Sequence, residues 1–266
     1  LCELDNFQGV FMPKDKRVVA MGDMHAGHKW ALVPPEYQTY KEKSIQSKLW
    51  KWFAAKARSI GPVDVLILTG DMIDGDGAKN GGVELITPDC FEQAAIAIRC
   101  AEMLHPKAVQ VVAGTPYHVG QREQFEQIIA NHFNAPFVLD LDCYIGPYRF
   151  DVRHHTGNSG VPYSRGSAAR KELMWRLIDS AIDGENKPDV LIRSHVHYFT
   201  AIQDSMGLTF TTPCLQLNSA YGKLRCQGRT DVGFLELLVP NSKKDPIKWC
   251  AHLLANSNIR NPPVIL

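Results

Sequence analysis

Short runs of branched apolar residues alternate with longer stretches in which apolar residues recur every three or four positions, which predicts strands feeding helices. Arg17–Met21, Asp64–Thr69 and Ala108–Ala113 read as buried strands. Between the first two, Tyr40–Ser59 places Ile45, Leu49, Trp52, Phe53 and Ala57 at helical spacing and stops at Gly61-Pro62. A second helix carries Phe91, Ala94, Ala95, Ile98 and Met103 with Asp89 as its cap, and Arg122–Phe133 forms a third. In the second half, Phe137–Leu139, Cys143–Ile145 and Arg149–Arg153 read as consecutive strands. Ser167–Asp183 is an amphipathic helix and Pro188–Arg193 a buried strand. Strand signals then crowd together at Tyr198–Ile202, Leu208–Thr212, Gly233–Val239 and Ile247–Leu253. The pattern predicts an α/β fold of two sheets packed as a sandwich with helices outside. One sheet is fed by β-α units and the other is built mainly from late antiparallel strands, in a single domain over residues 1–266.

Composition narrows the class. With 45% hydrophobic and 21% charged residues, the 266-residue chain reads as an ordinary globular protein. Its net charge of +1 gives no global attraction to nucleic acid, so any such contact needs a local patch. Seven scattered cysteines without CxxC spacing predict reduced, mostly buried thiols and a cytoplasmic location. No run of ~18 apolar residues is present to span a membrane. The start at Leu1 fits a trimmed chain, and residues 1–12 lack the basic start and apolar centre of a signal peptide.

Candidate chemistry lies where strands end. Asp23 and His25 follow the first strand, Asp71 and Asp74 the second, Gly114-Thr115-Pro116-Tyr117-His118 the third. His154-His155 follow a later strand, and His195 and His197 close the series. Residues two apart on extended backbone point to the same side, so Asp23 with His25, and His195 with His197, can each reach one ion. Mixed carboxylate and imidazole donors suit Mn, Fe, Zn or Co rather than calcium. Adjacent strand residues face opposite ways, so one of His154 and His155 binds metal, with His154 preferred.

In this order, D-x-H, GD-x-x-D, a Gly-led turn ending in His, a lone His after a strand and a near GH-x-H, the chain resembles the calcineurin-like metallophosphoesterase family. The resemblance implies a four-layer α/β fold, a two-sheet β-sandwich flanked by helices. It also implies two divalent metal ions and hydrolysis of phosphate esters by a metal-bridging hydroxide. By the same resemblance Asp23, His25 and His197 hold the first ion, His154 and His195 the second, and Asp71 bridges both. The family's Asn and His at the third motif become Thr115 and a displaced His118 here. Thr115 is a poorer ligand than an amide oxygen. His118 is expected as general acid or phosphate-binding group, with ligation by His118 as the alternative. Asp74 orients a ligand or satisfies its loop, and Thr115, His28 and Arg225 are candidate contacts to substrate. His105, His132 and His252 are read as structural, as are Trp50 and Trp52.

The expected substrate is a phosphate ester, preferably a phosphodiester of nucleotides or nucleic acid. A phosphomonoesterase or protein phosphatase is the nearer alternative. A catalytically impaired metal-binding scaffold is the more distant one, kept open by the altered third motif. The oligomeric state is not legible.

Overall fold

The computed structural model describes residues 15–39, 41–77, 81–119, 125–219 and 230–255. Eleven strands are described: β1 (Lys16–Met21), β2 (Val65–Leu68), β3 (Ala108–Val112), β4 (Phe137–Val138), β5 (Leu141–Ile145), β6 (Tyr148–Arg153), β7 (Val190–Arg193), β8 (Thr200–Asp204), β9 (Gly207–Thr211), β10 (Gly233–Val239) and β11 (Lys248–Leu253). The helices are α1 (Lys43–Ile60), α2 (Cys90–Glu102), α3 (Pro116–Val119), α4 (Glu126–His132) and α5 (Ser167–Asp183). Asp89 caps α2 as expected, its Oδ1 accepting from the Phe91 N–H at 2.8 Å.

The strands form two sheets, ordered β11-β10-β1-β2-β3-β4 and β5-β6-β7-β9-β8. Alternation within single strands assigns the layers. Val18 and Ala20 of β1 face the second sheet, in one apolar cluster with Phe150, Val152, Ile192 and Phe210. Val19 and Met21 face the other way, packing with Phe53 of α1 and with Ala94 and Ala97 of α2. Leu191 meets Ala169 and Leu173 of α5 on the far side of the second sheet. The result is the helix–sheet–sheet–helix sandwich that the resemblance implied. Each fully buried Leu, Ile, Val or Phe stabilises it by roughly 1.5–3 kcal/mol. Trp50 and Trp52 pack against this core, as expected of helix residues.

One expectation about topology is corrected. Of the late strands, β8 and β9 pair antiparallel in the second sheet, but β10 pairs antiparallel with β1 and β11 with β10, extending the first sheet. The centre of the second sheet is parallel, β6 with β7 and β7 with β9. The α5 crossover between β6 and β7 enforces this, since a helix returning the chain across a sheet face leaves the two strands parallel. β10 is buried at every position, which suits a place between β1 and β11.

The cysteine reading also changes. Cys90, Cys100, Cys143 and Cys214 are free, whereas Cys250 is disulfide-bonded. Among the described residues no helix is long and apolar enough to cross a membrane.

Candidate metal centre

The ends of β1 and β2 run side by side beyond the sheet. The Asp23 N–H donates to the Gly70 carbonyl at 2.9 Å and the His25 N–H to the Asp71 carbonyl at 3.0 Å. Glycine makes this approach possible: a Cβ on Gly22 would lie 2.2 Å from Thr69 Oγ1, and one on Gly114 would lie 2.2 Å from both Asp71 N and Oδ1. The strand-end acids are thereby brought together from separate β-α units.

The backbone then turns in a way the alternation argument did not anticipate. Asp23, His25, Asp71, His195 and His197 all have positive φ (46°, 49°, 50°, 72° and 56°), so neither Asp23/His25 nor His195/His197 is extended. Left-handed backbone on non-glycine residues costs of order 1–3 kcal/mol each and persists where surrounding structure over-determines it. Five of the six expected ligands carry that strain.

Their side chains converge in three groups: Asp23, His25 and His197; Asp71, His154 and His195; and His25, Asp71 and His118. Within each, one ligand atom per residue lies within 4.8 Å of the others. His197 Nε2 is 3.2 Å from Asp23 Oδ1 and 3.2 Å from His25 Nε2. His154 Nε2 is 3.0 Å from Asp71 Oδ2, and its Nδ1 donates to the Thr69 carbonyl at 2.8 Å, which fixes the ring. Of the adjacent pair, His154 is buried in the cluster, while His155 is exposed and lies against His195 with ring centroids 4.7 Å apart.

These donors fit divalent ions. Asp23 Oδ1 and His154 Nε2 are buried and face other members of the cluster, the His197 ring and the Asp71 carboxylate. Buried carboxylates and imidazoles packed this closely are costly, and a cation between them offsets that cost. The electrostatics agree. Burial pushes the Asp23 carboxyl up, yet His197 and His154 hold it down at about 2. Burial pulls His154 down, but Asp71 and Asp23 outweigh it and raise the ring to about 9. His195 is lowered to about 4 by burial and by the charge on His154.

The remaining expected residues are placed as follows. Asp74 Oδ1 lies 3.2 Å from His25 Nδ1 and 3.5 Å from His118 Nδ1, so it touches two imidazoles rather than only its own loop. Thr115 is engaged with Asp71: its N–H donates to Asp71 Oδ1 at 2.6 Å, and its hydroxyl lies 3.1 Å from both Asp71 oxygens. His28 is buried, with Nε2 3.7 Å from Glu84 and Nδ1 accepting from the Trp30 N–H. Arg225 lies outside the described residues. Ser194, standing where the family pattern has Gly, is tolerated because its hydroxyl bonds Thr69 Oγ1 at 2.6 Å and Thr212 Oγ1 at 2.7 Å. His132 and His252 are structural, pairing with Glu102 and Glu236.

Two residues that sequence reasoning missed hold the loops in place. Glu126 of α4 is fully buried and accepts from the Met72 and Gly114 N–H groups, each at 2.7 Å, tying the Asp71 loop to the Thr115 loop. Burial and the nearby Asp71 push its carboxyl up to about 7, against the pull of those two donors. Gln93 of α2 accepts from the Asp74 and Gly75 N–H groups and donates to the Gly75 and Thr87 carbonyls. Glu126→Gln turns an NH2 toward one of its two backbone donors. The expected loss is about 1–3 kcal/mol of unfolding free energy, read by denaturant titration.

Beside Asp71 and His154 opens a cavity of about 430 Å3, lined by Thr115, Pro116, Leu139, Arg153, His154 and His155 among others.

No family model matches the chain, and no curated protein matches it. Among solved structures it is similar to a single mutant of Vps29 from Entamoeba histolytica, at 14% identity over 90% of this chain and 99% of that one, with a TM-score of 0.48. Wild-type Vps29 of that organism complexed with zinc matches at 13% identity over 89% and 98%, TM-score 0.45. An archaeal phosphodiesterase matches at 13% identity over 88% and 99%, TM-score 0.43. Likenesses at these values carry no weight for the chemistry of this chain.

Proposed function

We propose that the chain is a calcineurin-like metallophosphoesterase that holds two divalent ions (Mn, Fe or Zn) and hydrolyses phosphate esters, preferentially phosphodiesters of nucleotides. The observation that carries this reading is the sharing of Asp71. Its carboxylate belongs to the group with His154 and His195, and to the group with His25, which itself joins Asp23 and His197. A carboxylate between two imidazole sets is what a two-ion site requires. Two bound ions stabilise charge on a phosphoryl group and supply hydroxide near neutral pH.

The protein's own residues do the rest. Asp23, His25 and His197 would hold one ion and His154 and His195 the other, with Asp71 shared between them. Asp74 fixes the His25 ring through Nδ1. The adjoining cavity is lined by Leu139 and Pro116 together with Arg153, His155 and Glu172, and its volume falls in the range of small-molecule sites.

The test compares nitrophenyl phosphate diester and monoester substrates on chelator-stripped protein resupplied with Mn, Zn, Fe or Mg. Turnover of the diester well above the monoester is expected. A reversed ratio moves the assignment to a phosphomonoesterase. The scaffold reading keeps one specific support: Thr115 is engaged with Asp71, which leaves the second ion three residues. Full occupancy by metal with no turnover of either ester would establish it.

A further inference from the structure

We infer that His118 is a metal ligand, joining His25 and Asp71 on the first ion, and that the Gly114–His118 turn has moved a ligand from the second ion to the first. The inference rests on the two-ion reading above. It takes up the ligation that stood as the alternative to a general acid or phosphate-binding group.

Geometry carries it. His25, Asp71 and His118 present ligand atoms within 4.8 Å of one another, the same closeness as the other two groups. The His118 and His25 rings meet edge-on with centroids 4.4 Å apart. His118 Nδ1 lies 3.0 Å from the Asp74 carbonyl oxygen. A carbonyl only accepts, so Nδ1 carries a proton there, which leaves Nε2 as the nitrogen that can meet an ion. His25 is held by the same logic, with Nδ1 against Asp74 Oδ1 and Nε2 beside His197. Asp74 thus orients two imidazoles at once, one through its side chain and one through its backbone, as partners of metal-bound histidines do. The turn is held there tightly, because a Cβ on Gly75 would lie 2.7 Å from the His118 carbonyl oxygen. Thr115 meanwhile is spent on Asp71, so nothing from this turn reaches the second ion directly.

The inference predicts unequal ions, one tight and one weak. The experiment titrates chelator-stripped protein with Co2+, following the visible absorption bands and competing the ion off with a chromogenic chelator. Wild type, His118→Ala and His118→Asn are compared. Asparagine retains an amide N–H near the position of Nδ1, so it keeps the Asp74 contact but deletes Nε2. If His118 is a ligand, both variants weaken the first equivalent of Co2+ at least ~10-fold and shift its bands. If His118 only braces the Asp74 loop, His118→Asn binds that equivalent within about twofold of wild type with an unchanged spectrum, which overturns the inference. Should His118→Ala fail to fold, the asparagine variant and its spectrum decide alone. Thr115→Asn supplies the missing amide oxygen and is expected to tighten the second equivalent by ~10-fold or more; no change argues against the displaced ligand. Wild-type protein that binds no Co2+ at all contradicts the two-ion function itself, whereas wild-type binding with unaltered variants contradicts only the role of His118.

Discussion

Replacing Asp71 by Asn is expected to lower metal-dependent ester hydrolysis by at least ~10³-fold while leaving the protein folded. The size follows from its position in both the His154/His195 group and the His25 group, so its charge serves both ions. Removing a single stabiliser of transition-state charge costs about 10²–10³-fold, and Asp71 contributes to two ion sites at once. Asparagine is the right replacement because residue 71 has φ 50°, a conformation Asn tolerates as well as Asp does. Its side-chain oxygen can still accept the Thr115 N–H. The measurement is kcat with Mn2+ alongside the melting temperature of the stripped protein. An activity loss below tenfold would remove Asp71 from the bridging position.

Arg193→Met is expected to cost about 3–5 kcal/mol of stability, the largest loss from any single change away from the ligands. Arg193 is fully buried one residue before Ser194 and two before His195. Its Nη2 lies 2.7 Å from Asp151 Oδ1 and its Nε 2.5 Å from Glu172 Oε2, while Nη1 donates to the Asp151 and Ile192 carbonyls. Methionine fills similar space but leaves Asp151 and Glu172 without this cation. Arg176 still pairs with Asp151, which places the expected value toward the lower end. Because Glu172 belongs to α5 and Asp151 to β6, the same change loosens the ground beneath His195. Denaturant unfolding reads the stability. The metal titration of the variant is expected to show weakening of the second ion rather than the first.

Much of this molecule is legible in its sequence because strand and helix periods are written directly in the apolar positions. Ser167–Asp183 and Gly233–Val239 stand as predicted, and the other described elements shift by a residue or a few. The pairing of β10 with β1 was not legible. Gly-Phe-Leu-Glu-Leu-Leu-Val is apolar on both faces, and such a run is equally at home in the middle of either sheet. At the site, residues that can bear donors announce themselves by type and spacing, and the structure brings Asp23, His25, Asp71, His154, His195 and His197 together. The left-handed backbone of all but His154 was not legible, since Asp and His accept that conformation without a glycine to mark it. Glu126 and Gln93 escaped because a single polar residue in a helix reads as solvent-facing. A signal existed: Glu126 shares a face with Ile129 and Ala130, and Gln93 lies beside Ala94 on the face that continues to Ala97. A polar residue on an apolar stripe is buried, and once buried it must have partners.

We propose this strained cluster of acids and imidazoles as a two-ion hydrolytic site. Its most direct test is hydrolysis of bis(nitrophenyl) phosphate by chelator-stripped protein before and after adding back Mn2+, with bound metal counted in the same sample. The account predicts no turnover when stripped, recovery on adding the ion, and occupancy rising toward two ions per chain as activity saturates. Folded protein that binds no ion, or that fills with metal and hydrolyses neither diester nor monoester, would contradict it.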